Sequence, residues 1–318
     1  MISITDVWQA KARISSYVHK TPLVHSSNLS MLLGSDVYFK CENLQKTGSF
    51  KARGAFNSIL SLTPDERQKG IVCYSSGNHA QAVCYAAKTL NVEAWVYMPV
   101  NAIKSKVDAC KGYGGHIVLT GSTGAEAYPK AVEFTKEHGL NYIDPVENAA
   151  IMAGQGTSGL EILEDLPDVD AVYVPVGGGG LISGIAAAIK GLSPSTKVIG
   201  VEPENMNCMN ASINAGKITK IERKYSVADG LAGDAPGPMA FENASKYVDE
   251  FITVSDSEII KAMELIMQRT KMFIEPSGAA SFAGLCSGRA YRGSKNACLI
   301  SGGNADFKLL SDIFNKTL

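Results

Sequence analysis

Short apolar runs alternate with longer amphipathic stretches along almost the whole chain. Such runs predict strands over residues 37–39, 71–74, 94–98, 116–119, 142–143, 171–176, 197–201, 251–254 and 297–300. A helical period of apolar residues predicts helices over 4–18, 50–60, 79–89, 104–111, 125–137, 159–163, 181–192, 209–215, 258–270 and 277–285, and a last helix near the C-terminus. Strands and helices that alternate at this spacing are typical of βαβ units and a parallel sheet. One open sheet of so many strands would be unusually wide, so we predict an α/β fold of two doubly wound lobes with parallel-rich sheets.

Composition narrows the classes of function. Of the 318 residues, 45% are hydrophobic and 19% are charged, and the formal net charge is −1. This balance argues against a disordered chain and against an electrostatic nucleic-acid binder. The N-terminus lacks the features of a signal peptide, and Pro175 and four glycines interrupt the most apolar window, residues 171–189. The seven scattered cysteines, odd in number and without a Cys-x-x-Cys spacing, indicate reduced thiols. We therefore expect a cytoplasmic protein without a membrane segment.

Three loops that follow predicted strands hold the candidate site residues, because ligands of such sheets bind beyond the carboxyl ends of the strands. The first loop is Ser75-Ser76-Gly77-Asn78-His79, at a predicted helix start. The exposed N–H groups of a helix N-terminus favour an anion such as a substrate carboxylate. The alternative is an ordinary helix cap by Ser75, Ser76 or Asn78, which would explain one of these residues and not the group.

The second loop is Gly177-Gly178-Gly179-Gly180, between a strand and a helix. Backbone N–H groups in such a loop can hold a phosphate without obstruction by side chains. The Walker pattern is absent, and Ile182 and Ser183 break the glycine fingerprint of dinucleotide-binding folds. Glu202 ends the next strand, where a ribose-binding acid would lie, so a nicotinamide-dependent oxidoreductase stays a remote alternative. A monophosphate is the better ligand.

Lys51 lies behind the turn Thr47-Gly48-Ser49 and the aromatic Phe50, ahead of a predicted helix. A lysine with small neighbours is a candidate for Schiff-base formation with pyridoxal phosphate. The alternative is a solvated lysine at a helix start, since lysines are usually exposed. The third loop, Ser301-Gly302-Gly303-Asn304, offers a hydroxyl at a strand end, and its alternative is a plain turn.

Together, the three loops and the segment Glu42-x4-Thr47-Gly48-Ser49-Phe50-Lys51-Ala52-Arg53-Gly54 resemble the serine/threonine dehydratase family of pyridoxal phosphate enzymes. The family includes threonine dehydratase, serine racemase and, more distantly, tryptophan synthase β. The resemblance runs from Thr21-Pro22 to Asn304, with the motifs in the family's order. It implies two α/β lobes of the tryptophan synthase β type, with pyridoxal 5'-phosphate in the cleft between them, and a homodimer. The large cofactor-binding domain would comprise residues 1–65 and 148–318, and the small domain residues 66–147.

The resemblance also implies a role for each motif. Lys51 would hold the cofactor as a Schiff base and act as the base at Cα, with Phe50 packed against the cofactor ring. Asn78 would hydrogen-bond the phenolic oxygen, and Ser301 would contact the pyridine nitrogen. The cofactor phosphate would bind at Gly177, Gly178, Gly179, Gly180 and Leu181. The substrate carboxylate would bind at Ser75, Ser76, Asn78 and His79.

The implied activity is that of a dehydratase, or ammonia-lyase, acting on a β-hydroxy amino acid such as L-threonine or L-serine. Its products would be a 2-oxo acid and ammonia. A serine at the ring nitrogen, in place of a carboxylate, would leave that nitrogen neutral and favour loss of the β-hydroxyl over long-lived carbanion chemistry. Because the sequence ends at Leu318, we expect no appended regulatory domain of the kind that longer biosynthetic threonine dehydratases carry.

Serine racemase is the main alternative. Racemisation needs an acid/base opposite the lysine, a position that a serine fills in serine racemases and Ser76 fills here. Eukaryotic racemases also bind a divalent cation through a Glu and an Asp six residues later, but Cys208 follows Glu202 at that spacing. A thiol is a poor ligand for Mg²⁺ or Ca²⁺, so Glu202 is the one candidate metal ligand and a divalent cation is doubtful. Tyr128 also lies near the position of an arginine in mammalian racemase. We therefore favour elimination.

Overall fold

Two β-sheets form the framework of the protein. The computed structural model describes residues 1–315 of the chain. Its strands are β1 (Leu23–His25), β2 (Asp36–Cys41), β3 (Ile71–Tyr74), β4 (Ala94–Met98), β5 (His116–Leu119), β6 (Asn141–Tyr142), β7 (Ala171–Pro175), β8 (Lys197–Pro203), β9 (Glu250–Val254) and β10 (Lys295–Ile300). The larger sheet has the order β1-β2-β10-β7-β8-β9, and the smaller sheet has the order β5-β4-β3-β6. Neighbouring strands are parallel except for β1 with β2, so the predicted α/β fold with parallel-rich sheets is confirmed.

Helices fill the connections between the strands. They are α1 (Ile4–Ile14), α2 (Ser27–Leu33), α3 (Lys51–Ser61), α4 (Pro64–Lys69), α5 (Asn78–Thr89), α6 (Lys104–Gly112), α7 (Gly124–Glu137), α8 (Ala149–Asp165), α9 (Gly180–Leu192), α10 (Cys208–Ala215), α11 (Pro238–Tyr247), α12 (Asp256–Thr270), α13 (Pro276–Ser287) and α14 (Phe307–Phe314). Helix layers bury both faces of the larger sheet, and all five residues of β7 are buried. This full burial explains why that strand appears in the sequence as an uninterrupted apolar run.

The strands predicted over 71–74, 94–98 and 116–119 have those bounds in the structure. The sequence pattern does not predict β1, α2, α4 or α11, and it misses the first part of α8, which begins at Ala149. Strand β1 has three residues and α2 has seven, which is too short for a clear period. The predicted division into residues 1–65 plus 148–318 and residues 66–147 stays a prediction.

Helices α3, α8 and α9 pack backbone against backbone at glycines. A Cβ atom added to Gly154 of α8 would lie 2.7 Å from the Cα atom of Gly54 in α3. A Cβ atom added to Gly156 would lie 2.6 Å from the carbonyl oxygen of Gly184 in α9. Ordinary contacts between carbon atoms are about 3.5–4.0 Å, so a methyl group would force these helices apart. The same glycines interrupt the apolar period of α8, and they therefore hide its first part from prediction.

The most apolar window of the sequence is divided among three elements. Residues 171–189 comprise β7, the glycine loop and most of α9. Within residues 1–315, every helix is too short or too polar to cross a lipid bilayer.

Candidate active site

A cavity of about 400 Å³ lies at the carboxyl ends of β3, β7 and β10, where the three predicted loops meet. A volume of this size suits a small-molecule ligand. The cavity lining includes every residue that the sequence predicts to contact cofactor or substrate: Phe50, Lys51, Ser75, Ser76, Asn78, His79, Gly177, Gly178, Gly179, Gly180, Leu181 and Ser301. Glu202, the candidate metal ligand, is not part of this lining.

Lys51 is the first residue of α3, and its amine lies in a partly buried position in the cavity. Its Nζ atom donates a hydrogen bond to the carbonyl oxygen of Pro145 at 3.1 Å and lies 5.2 Å from the centroid of the Phe50 ring. Burial lowers the pKa of Lys51 to about 8, against the opposite effect of the Asp144 carboxylate. A lysine with a lowered pKa is neutral more often, which suits it to act as a nucleophile or a base.

The glycine loop forms a cradle without side chains at the start of α9. Gly179 has a φ of 96°, in the left-handed region that favours glycine. A Cβ atom added to Gly179 would lie 2.5 Å from Cε of Met209, and one added to Gly177 would lie 2.9 Å from the carbonyl oxygen of Leu231. No side chain caps α9, so the N–H groups of its first turn face the cavity without an intrahelical partner. This arrangement fits a phosphate group.

Glu202 supports this cradle from behind. Its carboxylate accepts hydrogen bonds from the backbone N–H groups of Met209 at 2.9 Å and Asn210 at 2.7 Å, at the start of α10. Burial raises the pKa of Glu202 to about 8, and the two N–H groups act in the opposite direction. The carboxylate therefore has a structural task, because it fixes the helix that places Met209 against Gly179. A cation-binding role for Glu202 stays a prediction that this geometry does not support.

The first loop leads into α5, which begins at Asn78. The hydroxyl of Ser75 accepts a hydrogen bond from the N–H group of Gly77 at 3.2 Å, but no side chain caps α5 itself. The interpretation of this loop as an ordinary helix cap is therefore wrong, and the N–H groups of the first turn are open to an anion. The Ser76 hydroxyl lines the cavity and has no hydrogen-bond partner within residues 1–315.

His79 is only 2% exposed, and its Nε2 atom lies 3.0 Å from the carbonyl oxygen of Ile143. Burial, together with the nearby Lys51, lowers the pKa of His79 to about 3, so the imidazole is neutral near pH 7. Its Nδ1 atom has no partner in the described part of the chain. His79 thus offers an anion no positive charge, and its backbone N–H group is the better donor for a carboxylate.

Asn78 and Ser301 both line the cavity around Lys51. The Nδ2 atom of Asn78 donates to Oε1 of Glu275 at 2.9 Å, and its Oδ1 atom accepts from Nδ2 of Asn304 at 2.9 Å. The carbonyl oxygen of Ser301 accepts from the N–H group of Phe50 at 3.1 Å, which ties the end of β10 to the lysine. The Ser301 hydroxyl, for which the described residues provide no partner, lines the cavity.

The sequence analysis does not predict four charged residues of the cavity lining: Lys106, Arg223, Asp229 and Glu275. Nζ of Lys106 lies 3.4 Å from Oδ2 of Asp229. Burial and the nearby Asp229 raise the pKa of Glu275 to about 7. In the sequence, Glu275-Pro276 resembles only a helix start, and Arg223 lies in a stretch without a period, so no local signal distinguishes these residues.

A buried charge network fixes the helix that carries Lys51. The guanidinium of Arg53 donates two hydrogen bonds to Glu42, both at 2.8 Å, and two to Glu161, at 2.6 and 2.8 Å. Nζ of Lys40 lies 2.6 Å from Oε2 of Glu161. Two positive and two negative side chains are thus buried together and neutralise one another. Glu42 and Arg53 belong to the lysine motif, so the sequence already contains the pair.

These residues fit pyridoxal phosphate. At Gly177 and Gly179 an added Cβ atom would make contacts below 3.0 Å, so the loop presents backbone N–H groups without side chains to a phosphate. The Lys51 amine lies next to the Phe50 ring. The Ser301 hydroxyl would meet the ring nitrogen, and Asn78 would donate to the phenolic oxygen. The cofactor's groups therefore find matching protein groups around one cavity.

Comparison with known proteins agrees with this geometry. A family model described as "Pyridoxal-phosphate dependent enzyme" matches residues 14–303. The L-threonine ammonia-lyase of Thermotoga maritima is 44% identical over 318 residues, which span 100% of this chain and 79% of that protein. The L-threo-3-hydroxyaspartate ammonia-lyase of Saccharomyces cerevisiae is 42% identical over 95% of this chain and 93% of its own length. The structure of maize serine racemase superposes with a TM-score of 0.94 at 37% identity, over 99% of this chain and 97% of that one.

Proposed function

This chain belongs to the family of pyridoxal-phosphate dependent enzymes, and we propose that it is a dehydratase that acts on L-threonine. The reaction removes the Cα proton and the β-hydroxyl as water, and the resulting enamine takes up water and releases ammonia to give 2-oxobutanoate. One observation carries the proposal. The Lys51 amine, with its lowered pKa, shares a cavity with the glycine cradle, the open start of α5 and the Ser301 hydroxyl.

Pyridoxal phosphate, when bound, supplies an electron sink that acidifies the Cα–H bond of an attached amino acid. The N–H groups at the start of α5 bind the substrate carboxylate and orient the Cα–H bond towards Lys51. The Lys51 amine then takes up the Cα proton. The uncharged Ser301 hydroxyl would hold the ring nitrogen without protonating it, which would favour rapid loss of the β-hydroxyl. The first turn of α9 holds the phosphate.

The test is oxo-acid formation by the purified protein saturated with pyridoxal phosphate. We expect 2-oxobutanoate from L-threonine and pyruvate from L-serine, and we expect Lys51→Ala to abolish both products. Lys46→Ala is the matched control, because Lys46 lies in the same segment but outside the cavity lining. A protein that releases no oxo acid from any β-hydroxy amino acid, or a Lys51→Ala variant that keeps its rate, would contradict the proposal.

Racemisation of serine is a second candidate function. The unpartnered Ser76 hydroxyl in the cavity favours it, and so does the similarity to maize serine racemase. A hydroxyl opposite Lys51 can return a proton to the other face of Cα. We expect D-serine to form from L-serine and to vanish in Ser76→Ala, while pyruvate release continues. If the wild type forms no D-serine, this second function is excluded.

L-threo-3-hydroxyaspartate is a further candidate substrate. The yeast relative is named for this compound, and Lys106 and Arg223 line the cavity here. Arg223 forms no hydrogen bond or ion pair within residues 1–315, so its charge is available to a second substrate carboxylate. Parallel assays with L-threonine, L-serine and this compound establish the order of preference.

We also propose that the enzyme is a cytoplasmic homodimer. All seven cysteines are free thiols, which suits a reducing compartment. Met31 and Phe307 are 78% and 80% exposed, which suits contact with a second copy. Light scattering after gel filtration measures the mass of the particle, and the mass of a single chain at micromolar concentration would exclude the dimer.

A further inference from the structure

Glu275 is a buried acid that the proposed mechanism does not use. It precedes α13 but its side chain does not cap that helix. The residue is 6% exposed, its side chain lines the cavity, and it forms no ion pair within residues 1–315. Its Oε1 atom accepts a hydrogen bond from Nδ2 of Asn78 at 2.9 Å. A buried carboxylate in such a place needs a reason, because its desolvation is costly.

The neighbours of Asn78 decide which way its amide is turned. Nδ2 of Asn304 donates both to Oδ1 of Asn78, at 2.9 Å, and to the carbonyl oxygen of Thr47, at 2.7 Å. The Asn78 oxygen is therefore engaged by a donor, and its nitrogen faces the Glu275 acceptor. An amide nitrogen carries two N–H groups, so one remains for an acceptor in the cavity. Without Glu275, the Asn304 amide alone would hold this orientation, and the Asn78 nitrogen would lose its acceptor on that side.

Glu275 is itself held in place by the third loop. Its N–H group donates to the carbonyl oxygen of Gly302 at 3.1 Å. A Cβ atom added to Gly302 would collide with Oε1 of Glu275. The carboxylate therefore connects the Ser301 loop to the start of α5, the two segments predicted to contact the cofactor ring.

We propose that Glu275 is a positioning residue, which holds the Asn78 amide with its remaining N–H group aimed at the phenolic oxygen of pyridoxal phosphate. This inference rests on the cofactor contact proposed for Asn78. Because Glu275 acts through Asn78, the removal of Glu275 weakens cofactor binding only in a protein that still contains Asn78.

The charge of Glu275 would also act on the phenolic oxygen of a bound cofactor. The charged groups that act on Glu275 most strongly are Asp229, in the turn after β8 and α10, and Lys106, of α6. Asp306, Lys308 and Asp312 line the adjoining cavity that Glu275 also borders. The third loop carries no charged side chain from Ser301 to Asn304, and at the start of α5 His79 is neutral and turned to Ile143. Burial raises the pKa of Glu275 to about 7, so Glu275 is the group beside Asn78 that titrates near neutrality.

The test combines Glu275→Leu, Glu275→Gln and Asn78→Ala with the double variant Asn78→Ala/Glu275→Leu. Each protein is stripped of cofactor and titrated with pyridoxal phosphate, and absorbance spectra are recorded across pH. We expect Glu275→Leu to weaken cofactor binding about tenfold, the effect of one lost hydrogen bond. We expect Glu275→Gln, which keeps the acceptor oxygen, to bind as the wild type does but to lose the spectral change near pH 7.

The double variant separates positioning from general damage. If Glu275 acts through Asn78, the double variant binds cofactor no more weakly than Asn78→Ala alone. Fully additive losses, or a Glu275→Leu variant with wild-type spectrum and affinity, would overturn the proposal. Glu242→Gln, which removes an exposed carboxylate of α11 outside the cavity lining, is the matched control, and thermal melting verifies that each variant folds. These readouts need no substrate, so they stay valid if the proposed dehydratase activity is not found.

Discussion

Arg53→Met should destabilise the protein more than most single substitutions do. The guanidinium makes two hydrogen bonds to Glu42 and two to Glu161, and none of the three side chains has appreciable contact with water. Its loss leaves two buried carboxylates with Lys40 as their only cation in the network. Removing one partner of a buried pair costs about 3–5 kcal/mol, because the remaining charge stays desolvated. That is a large part of the total stability of about 5–15 kcal/mol that proteins typically have.

Urea unfolding of the cofactor-free variant and wild type measures this loss as a shift in the midpoint at constant slope. Arg53→Lys keeps the charge but not the planar fork, so its loss should be smaller. Lys104→Met, which removes an exposed pair with Asp108, is the control and should not shift the midpoint measurably. A loss below about 1 kcal/mol in Arg53→Met would refute the reasoning, since it would mean that the network has little more value than a surface pair.

Three further predictions concern the cavity. Gly179→Ala should weaken pyridoxal phosphate binding, because its φ of 96° is strained for alanine and the Met209 methyl group would have to move, whereas Gly216→Ala, with a φ of 65° and open space, is the control for backbone strain alone. Arg223→Gln should raise the KM for L-threo-3-hydroxyaspartate about tenfold and leave L-threonine kinetics unchanged, and equal effects on both would contradict the charge pairing. The rate at which cofactor-free protein captures pyridoxal phosphate should rise with pH through a midpoint near 8, because only the neutral Lys51 amine attacks, and a midpoint near 10 would contradict the lowered pKa.

Elements with a strong local signal can be predicted from the sequence. The strands 71–74, 94–98 and 116–119 have the predicted bounds, because each is a short apolar run between turn residues. The cavity lining brings together residues from each of the four motifs, and the family resemblance that they predict is confirmed. Contacts between residues that are far apart in the sequence cannot be predicted in this way. Asn78 and Glu275 are 197 positions apart in the sequence, so only the fold reveals their contact.

Ambiguous signals have equally physical reasons. In the sequence, Glu202 at a strand end allows a remote interpretation as a ribose-binding acid and a doubtful one as a metal ligand. In the fold, its carboxylate accepts hydrogen bonds from the N–H groups at the start of α10. The serines near α5 fit a helix cap in the sequence, but the chain bends so that the helix start stays open. At both positions the residue type is compatible with several roles, and the path of the backbone determines which role the side chain has.

The glycine contacts between α3, α8 and α9 have a consequence for the evolution of this protein. Where two side chains are in contact, a smaller residue at one position can be compensated by a larger residue at the other, so such pairs of positions can change during evolution. Gly154, Gly156 and Gly184 meet their neighbours mainly through main-chain atoms, which have no such exchange partner, whereas a Cβ atom at Gly54 would first meet the Gln155 side chain. A saturation library should therefore yield no tolerated substitutions at Gly154, Gly156 and Gly184, and sequence divergence in the family should avoid these contacts of the helix layer that carries Lys51.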